Sequence, residues 1–161
     1  MPDAQHLATF RSLIDDIQEC MLVTDDVSVG GPRARPMWLA GQDDAKLYFF
    51  TNVDTDKVDE IYQDRAVCCA FAKPADNAYV SATGKATIER DLALKKKYYS
   101  KMQDAWFDGP DDPKAALICV HVTDGEYWKD TDSKLVSFAK IAASTVTGDY
   151  YNDAENEKVS L

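Results

Sequence analysis

The chain has 161 residues, 45% of them hydrophobic and 29% charged, with a formal net charge of −10 and a pI near 4.5. This is the composition of one globular domain with a core of its own rather than of a disordered segment. So acidic a chain is not expected to bind nucleic acid or an anionic membrane surface, and it has no run of about 20 apolar residues to span a bilayer.

The first residues, MPDAQHLATF, lack the basic start and apolar stretch of a signal peptide, so a cytoplasmic protein is expected. Leu7, Phe10, Leu13, Ile14 and Ile17 recur at helical spacing and predict an amphipathic helix over 4–17. Residues 20–24 read as a strand, 25–32 as turn material around Gly30-Gly31-Pro32, 34–40 as a second strand, 41–44 as a hairpin turn and 46–51 as a third strand. These three strands are expected to form an antiparallel meander. A helix follows from Asp56 to about 64, then an apolar strand over 66–72, a turn over 73–77, and a long alternating strand over 78–89. Gly84 marks a bulge or bend in that strand, the device by which small barrels turn corners.

Asp91 is placed to cap a helix over 92–101, on which Lys95, Lys96 and Lys97 read as one solvated face. Beyond the Gly109–Pro113 turn, strands are predicted over 116–123 and 126–129, separated by a turn at Asp124-Gly125. Ser133 opens a last helix carrying Leu135, Val136, Phe138, Ala139 and Ala142, and the acidic tail from Gly148 is expected to be loose. The chain therefore reads as one domain over 1–147 with a tail over 148–161. It is mostly β, with roughly six to seven mainly antiparallel strands in a small barrel and flanking helices. It shows neither regular βαβ alternation nor a GxGxxG fingerprint.

Cys20, Cys68, Cys69 and Cys119 have no CxxC spacing and sit in apolar contexts, so reduced core thiols are expected. The two histidines, His6 and His121, have no ligand-spaced partner, so no metal site is expected. A Ser-His-Asp hydrolase would need a nucleophile elbow, and none is present.

The chemistry concentrates in 47–57, LYFFTNVDTDK. An apolar strand runs into a helix start, and Thr51, Thr55 and Lys57 fall beside the unpaired N–H groups of the first helical turn. That arrangement suits a phosphate. A plain N-cap at Thr55 or Asp56, with Lys57 in solvent, accounts for the same residues. Just upstream, Arg33-Ala34-Arg35-Pro36-Met37-Trp38 is a basic segment in an acidic chain. Arginines two apart share a strand face, and a guanidinium near Lys57 would complete an anion site. Solvated edge arginines are the other reading.

With these residues in view, the chain resembles the pyridoxamine 5′-phosphate oxidase-like split barrels, most closely their small general stress protein branch, which binds FMN. The resemblance is carried by Arg35-Pro36-Met37-Trp38, by Phe50-Thr51-Asn52 followed two residues on by Thr55-Asp56-Lys57, by Glu126-Tyr127-Trp128, and by the strand Val80–Lys85; it runs from about residue 7 to residue 130. It implies a split β-barrel and a homodimer with the flavin at the subunit interface, FMN being the expected cofactor and FAD the other candidate. Arg35, Thr51, Thr55 and Lys57 would hold the phosphate. The Pro36-Met37-Trp38 backbone would follow the polar edge of the isoalloxazine ring, Phe50 would lie beside the cofactor, and Trp128 would reach it from the other subunit. Asp56 stands where the oxidases carry a basic residue directly before the lysine. After Trp128 the chain reads Lys129-Asp130-Thr131-Asp132-Ser133, without the arginine and histidine that grip substrate phosphate in the oxidases. The implied function is a stress-type flavoprotein and, if it turns over, a flavin-dependent oxidoreductase, with no general acid or base to name. A flavin carrier or redox sensor without turnover, a divergent pyridoxine or pyridoxamine 5′-phosphate oxidase, and an empty barrel acting through protein contacts are the alternatives.

Overall fold

A computed structural model of the protein describes residues 4–130, 140, 143–144 and 154–161. Its elements run α1 (Ala4–Ile17), β1 (Glu19–Asp26), β2 (Gly31–Trp38), β3 (Gly41–Asp43), β4 (Lys46–Asn52), α2 (Asp56–Gln63), β5 (Ala66–Lys73), β6 (Ala78–Glu89), α3 (Leu92–Tyr98), β7 (Ala115–Asp130) and β8 (Ala154–Ser160). Alternation orients the strands: in β5, Val67, Cys69 and Phe71 are buried while Ala66, Ala70 and Ala72 face out. Phe10, Leu13 and Ile14 of α1 pack into the same core as Leu22, Phe49, Val80 and Ile118.

The sheet is antiparallel throughout, in the order β2-β1-β5-β6-β7-β4-β3, with β8 added to β7. The mostly β architecture is as expected, but the three-strand meander is not. β1 pairs with β2 on one edge and β5 on the other, while β4 pairs with β7. The reason is burial. Leu47, Tyr48 and Phe49 are consecutive buried residues, as are Ala115 to Val120, so both segments need cover on two faces and lie side by side inside the sheet. Among the described residues eight strands form rather than six or seven, because Gly41–Asp43 and Ala154–Ser160 also pair.

Asp124-Gly125 makes no turn. β7 runs straight through it, and Gly125 is there because a Cβ would collide with the ring of Phe10. The irregularity expected at Gly84 is there: the β6–β7 register shifts between Thr83 and Gly84, the extra residue being Thr123 of β7. The tail expected to be loose contributes β8, whose Val159 is buried in the core. Tyr127 ties that strand down. Its fully buried hydroxyl lies 2.7 Å from His6 Nδ1 and donates to Glu155 Oε1 at 2.9 Å. Burial and the Glu155 carboxylate push its pKa up to about 12. The predicted helix over 133–142 falls almost wholly outside the described residues.

The helix predicted over 92–101 ends at Tyr98, and a 3-10 turn, Lys101–Ala105, follows with Ser100 and Gln103 capping each other reciprocally. Asp91 caps α3 as expected, accepting from Leu94 N. The three lysines do not share a solvated face. Lys95 is buried and donates to the Ala115 and Asp112 carbonyls at 3.1 and 3.4 Å, whereas Lys97 pairs with Asp43 at 2.8 Å. Successive helical positions point about 100° apart, so one of the three had to face the sheet.

All four cysteines are free. Among the described residues no group of three or more His, Cys, Asp or Glu could hold a metal, and no helix is long and apolar enough to cross a membrane.

Candidate functional site

A cleft of about 730 Å³ opens on the outward face of β2, β1 and β5. Outward positions of those strands supply Met21, Pro36, Trp38, Ala70 and Ala72, β4 supplies Phe50, and the segment after α3 adds Met102, Trp106 and Phe107. These walls are apolar. Trp106 is 69% exposed and Trp38 40%, large side chains left facing solvent where a ligand or partner would cover them. Phe50 is fixed edge-on against Tyr99, with ring centres 5.5 Å apart.

One end of the cleft is polar and is formed where β4 passes into α2. Thr51, Asn52, Thr55 and Lys57 meet there. Thr55 occupies the N-cap position with extended backbone, yet no side chain caps the helix. Its hydroxyl instead donates to the Asn52 carbonyl at 2.8 Å, and that of Thr51 reaches the same carbonyl at 3.3 Å. The cap reading of Thr55 is therefore not the one the side chain adopts. The Val58 N–H is taken by the Thr55 carbonyl at 2.9 Å, while among the described residues no side chain bonds the Asp56 or Lys57 N–H, and a helix N-terminus in that state attracts anions.

Lys57 is half-buried at this end. Burial lowers its pKa below the ordinary lysine value and nearby Arg35 lowers it further, while Glu60 and Asp56 push it back up. No described residue forms a hydrogen bond or ion pair with its ammonium group.

Arg35 lies close to Lys57 but is otherwise engaged. Its guanidinium forks onto Glu60, Nη1 to Oε2 at 2.7 Å and Nη2 to Oε1 at 3.1 Å, and Nη1 also donates to Thr24 Oγ1 at 2.6 Å. Arg33 and Arg35 do share a strand face, since Arg33 also reaches Glu60, at 4.0 Å. Asp56 turns away from the cleft, its carboxylate 3.7 Å from Arg33. Trp128 stands on β7 between Tyr79 and Asn156, half-buried and outside the cleft of its own chain.

Of the residues singled out in the sequence, the fold thus gathers Pro36, Met37, Trp38, Phe50, Thr51, Thr55 and Lys57, and sets Arg35, Asp56 and Trp128 outside the lining. Sequence reasoning missed Met21, Ala70 and Ala72, whose outward apolar alternation was a usable signal, and the wall from Met102 to Phe107, which gave none.

The sequence profile of the family described as "Pyridoxamine 5′-phosphate oxidase like" matches residues 5–152. General stress protein 26 of Bacillus subtilis is 32% identical over 101 residues, 61% of this chain and 71% of that protein. The solved general stress FMN/FAD binding protein of Xanthomonas citri superposes with a TM-score of 0.67 at 26% identity, over 78% of this chain and 89% of that one. A solved Jannaschia sp. protein taken for a general stress protein 26 superposes with a TM-score of 0.80 over 99% of this chain and all of that one. At 21% identity it speaks for the shared split-barrel fold alone.

Proposed function

The chain belongs to the pyridoxamine 5′-phosphate oxidase-like family, and on that premise we propose that the cleft binds FMN, in a homodimer whose second subunit closes the site. The observation that carries this reading is Lys57, a half-buried ammonium without a protein partner among the described residues, beside two threonine hydroxyls and an uncapped helix start, at one end of an otherwise apolar cleft. A phosphate at that end would gain charge-assisted hydrogen bonds that no protein group now occupies. The remaining volume, about 730 Å³ with aromatic and aliphatic walls, is the size and chemistry of a cofactor site.

A bound flavin supplies hydride and electron transfer. The chain's own part is to hold it. Lys57, Thr51 and Thr55 take the phosphate, the Pro36–Trp38 backbone offers alternating N–H and C=O groups to the ring edge, and Phe50, held edge-on by Tyr99, fixes the ring's position. Arg35 adds positive potential from behind Lys57 rather than a direct contact. If the protein turns over, it is an FMN-dependent oxidoreductase. A carrier or redox sensor is the second reading. It is favoured by the scarcity of proton-transfer groups, because Glu19 is the one carboxylate among the described lining residues and no histidine joins it. Oxidation of a phosphorylated vitamin B6 substrate has less support, because no arginine or histidine follows Trp128 up to Ser133.

Titrating the purified protein with FMN and following quenching of flavin fluorescence tests the reading. Lys57→Ala is expected to weaken binding about tenfold or more, and Lys96→Ala, on the exposed face of α3, by less than about twofold. Equal dissociation constants for the two variants would remove the site. Bleaching by a reduced nicotinamide with reoxidation by oxygen would separate an enzyme from a carrier.

A further inference from the structure

The group behind the phosphate seat is unusual in its charge balance. Glu60 of α2 is a buried carboxylate, its side chain 8% exposed, and it accepts both arms of the Arg35 guanidinium as well as the Thr24 hydroxyl, whose oxygen in turn accepts from Arg35. Arg33 on the same face is shared among Asp26 at 3.3 Å, Asp56 at 3.7 Å and Glu60 at 4.0 Å. The cations gathered here are Arg33, Arg35 and Lys57, and the anions facing them are Asp26, Asp56 and Glu60. Both arginines are in ion pairs with carboxylates, whereas Lys57 is in none among the described residues and feels Glu60 and Asp56 only at longer range. Without Glu60, the Arg35 charge felt at Lys57 would no longer be offset by a carboxylate bonded to it.

We propose that Glu60 is a specificity-determining residue that weakens the seat's hold on the phosphate: by pairing with the Arg35 guanidinium it offsets that charge and leaves Lys57 as the one cation of the group without a salt bridge among the described residues, so FMN is held as an exchangeable ligand. This rests on the flavin reading above. Glu60 acts through Arg35 and the local field and does not touch the ligand. Its carboxylate lies one helical turn from Lys57, at i+3, where a charge of either sign is felt strongly in a partly desolvated site. The pairing itself is fork to fork, the geometry in which a guanidinium is least free to turn toward a second anion.

The test compares FMN with riboflavin, which lacks the phosphate, by equilibrium titration and by stopped-flow release, on the wild type, Glu60→Gln and the double variant Arg35→Gln/Glu60→Gln. Gln keeps the volume of Glu, and its one carbonyl oxygen can still accept from Thr24 and from one arm of Arg35, while the other arm loses its acceptor. Glu60→Gln is expected to tighten FMN about tenfold, mostly by slower release, while riboflavin moves by less than about twofold. The double variant removes one charge of each sign and is expected to bind FMN within about threefold of wild type. A folded Glu60→Gln that binds FMN no more tightly overturns the proposal. So does a loss of about a hundredfold in the double variant, since that would make Arg35 a direct phosphate ligand. If Glu60→Gln does not fold, as read by its thermal melt, the double variant decides. A wild type that binds neither flavin sinks the flavin reading itself, and the proposal with it, an outcome told apart by appearing before any variant is made.

Discussion

Lys57 is a lysine held partly out of water beside a guanidinium, and both conditions press on its proton in the same direction. Burial is the larger cause, Arg35 the second, and the opposing carboxylates Glu60 and Asp56 only reduce the shift. A lowered pKa means that the ammonium is lost at a lower pH than the ordinary 10.5. For stability, the folded value lies below the unfolded one, so the charged side chain costs the apo fold something at neutral pH. That cost is released as pH rises through the window between the two values. For binding the sign is opposite, because the charged form holds the phosphate. FMN affinity is therefore expected to fall with rising pH before a solvated lysine would titrate, while riboflavin affinity serves as the reference. Lys57→Arg keeps its charge at every accessible pH. Its FMN-to-riboflavin ratio should stay level as pH is raised toward the ordinary lysine value of 10.5, while that of the wild type declines. Parallel declines in both proteins would assign the titration to some other group.

At the scale of the element, Gly84 makes the close contact of β6 with β7 possible, and Gly31 is its control. A Cβ at Gly84 would run into the His121 carbonyl of the neighbouring strand, backbone against backbone, with no side chain able to yield. Gly31, at the start of β2, has nothing within 4 Å of the same position. Gly84→Ala is expected to destabilise the fold by about 2 kcal/mol or more and Gly31→Ala by less than about 0.5 kcal/mol, both read from the midpoint of urea denaturation at unchanged slope. A Gly84→Ala protein as stable as wild type would mean that the strands part easily there. The contrast also shows what could be read from the chain. Gly84 announced itself, because a glycine inside a long alternating run weakens the strand unless a bulge or a close backbone approach requires it. Gly125 did not, because the ring it accommodates belongs to Phe10, 115 positions away by difference of their numbers. The same distinction divides the site. Its polar end lies within one strand–helix junction, so hydroxyls, lysine and helix start were adjacent in the sequence. The Glu60 that holds Arg35 lies 25 residues off, and the Met102–Phe107 wall is brought in by tertiary packing. A partner so distant leaves no local mark on either residue. Lys95 failed for a related reason: its neighbours in sequence were lysines, but its neighbours in space are two carbonyls of the segment leading into β7.

For the molecule as a whole, the proposed dimer turns on whether Trp128 of one chain serves the cleft of another. Within one chain it stands on β7, away from the cleft on β2, β1 and β5, and the cleft keeps Met21 and Trp38 about two-fifths exposed and Trp106 more so. An apolar sheet face of that kind, beside a mouth rimmed with aromatics, is what a second subunit would cover. In a two-fold dimer each subunit would then complete the other's site, Lys57 from one and Trp128 from its partner. The arrangement makes a prediction that no property of a single chain can imitate. Lys57→Ala and Trp128→Ala are each expected to bind FMN weakly alone. Mixed in equal amounts and refolded together, about half of the dimers carry one chain of each kind. In such a dimer one site receives both damaged residues and the other receives neither, so about a quarter of all sites should bind FMN with wild-type affinity. Were Trp128 to serve the cleft of its own chain, every site in the mixed dimer would keep one defect and no tight class would form. Titration of the refolded mixture distinguishes the two by the amplitude of the tight phase, and a mixture that binds only as the average of its parents would dismiss the shared site while leaving Lys57 in place.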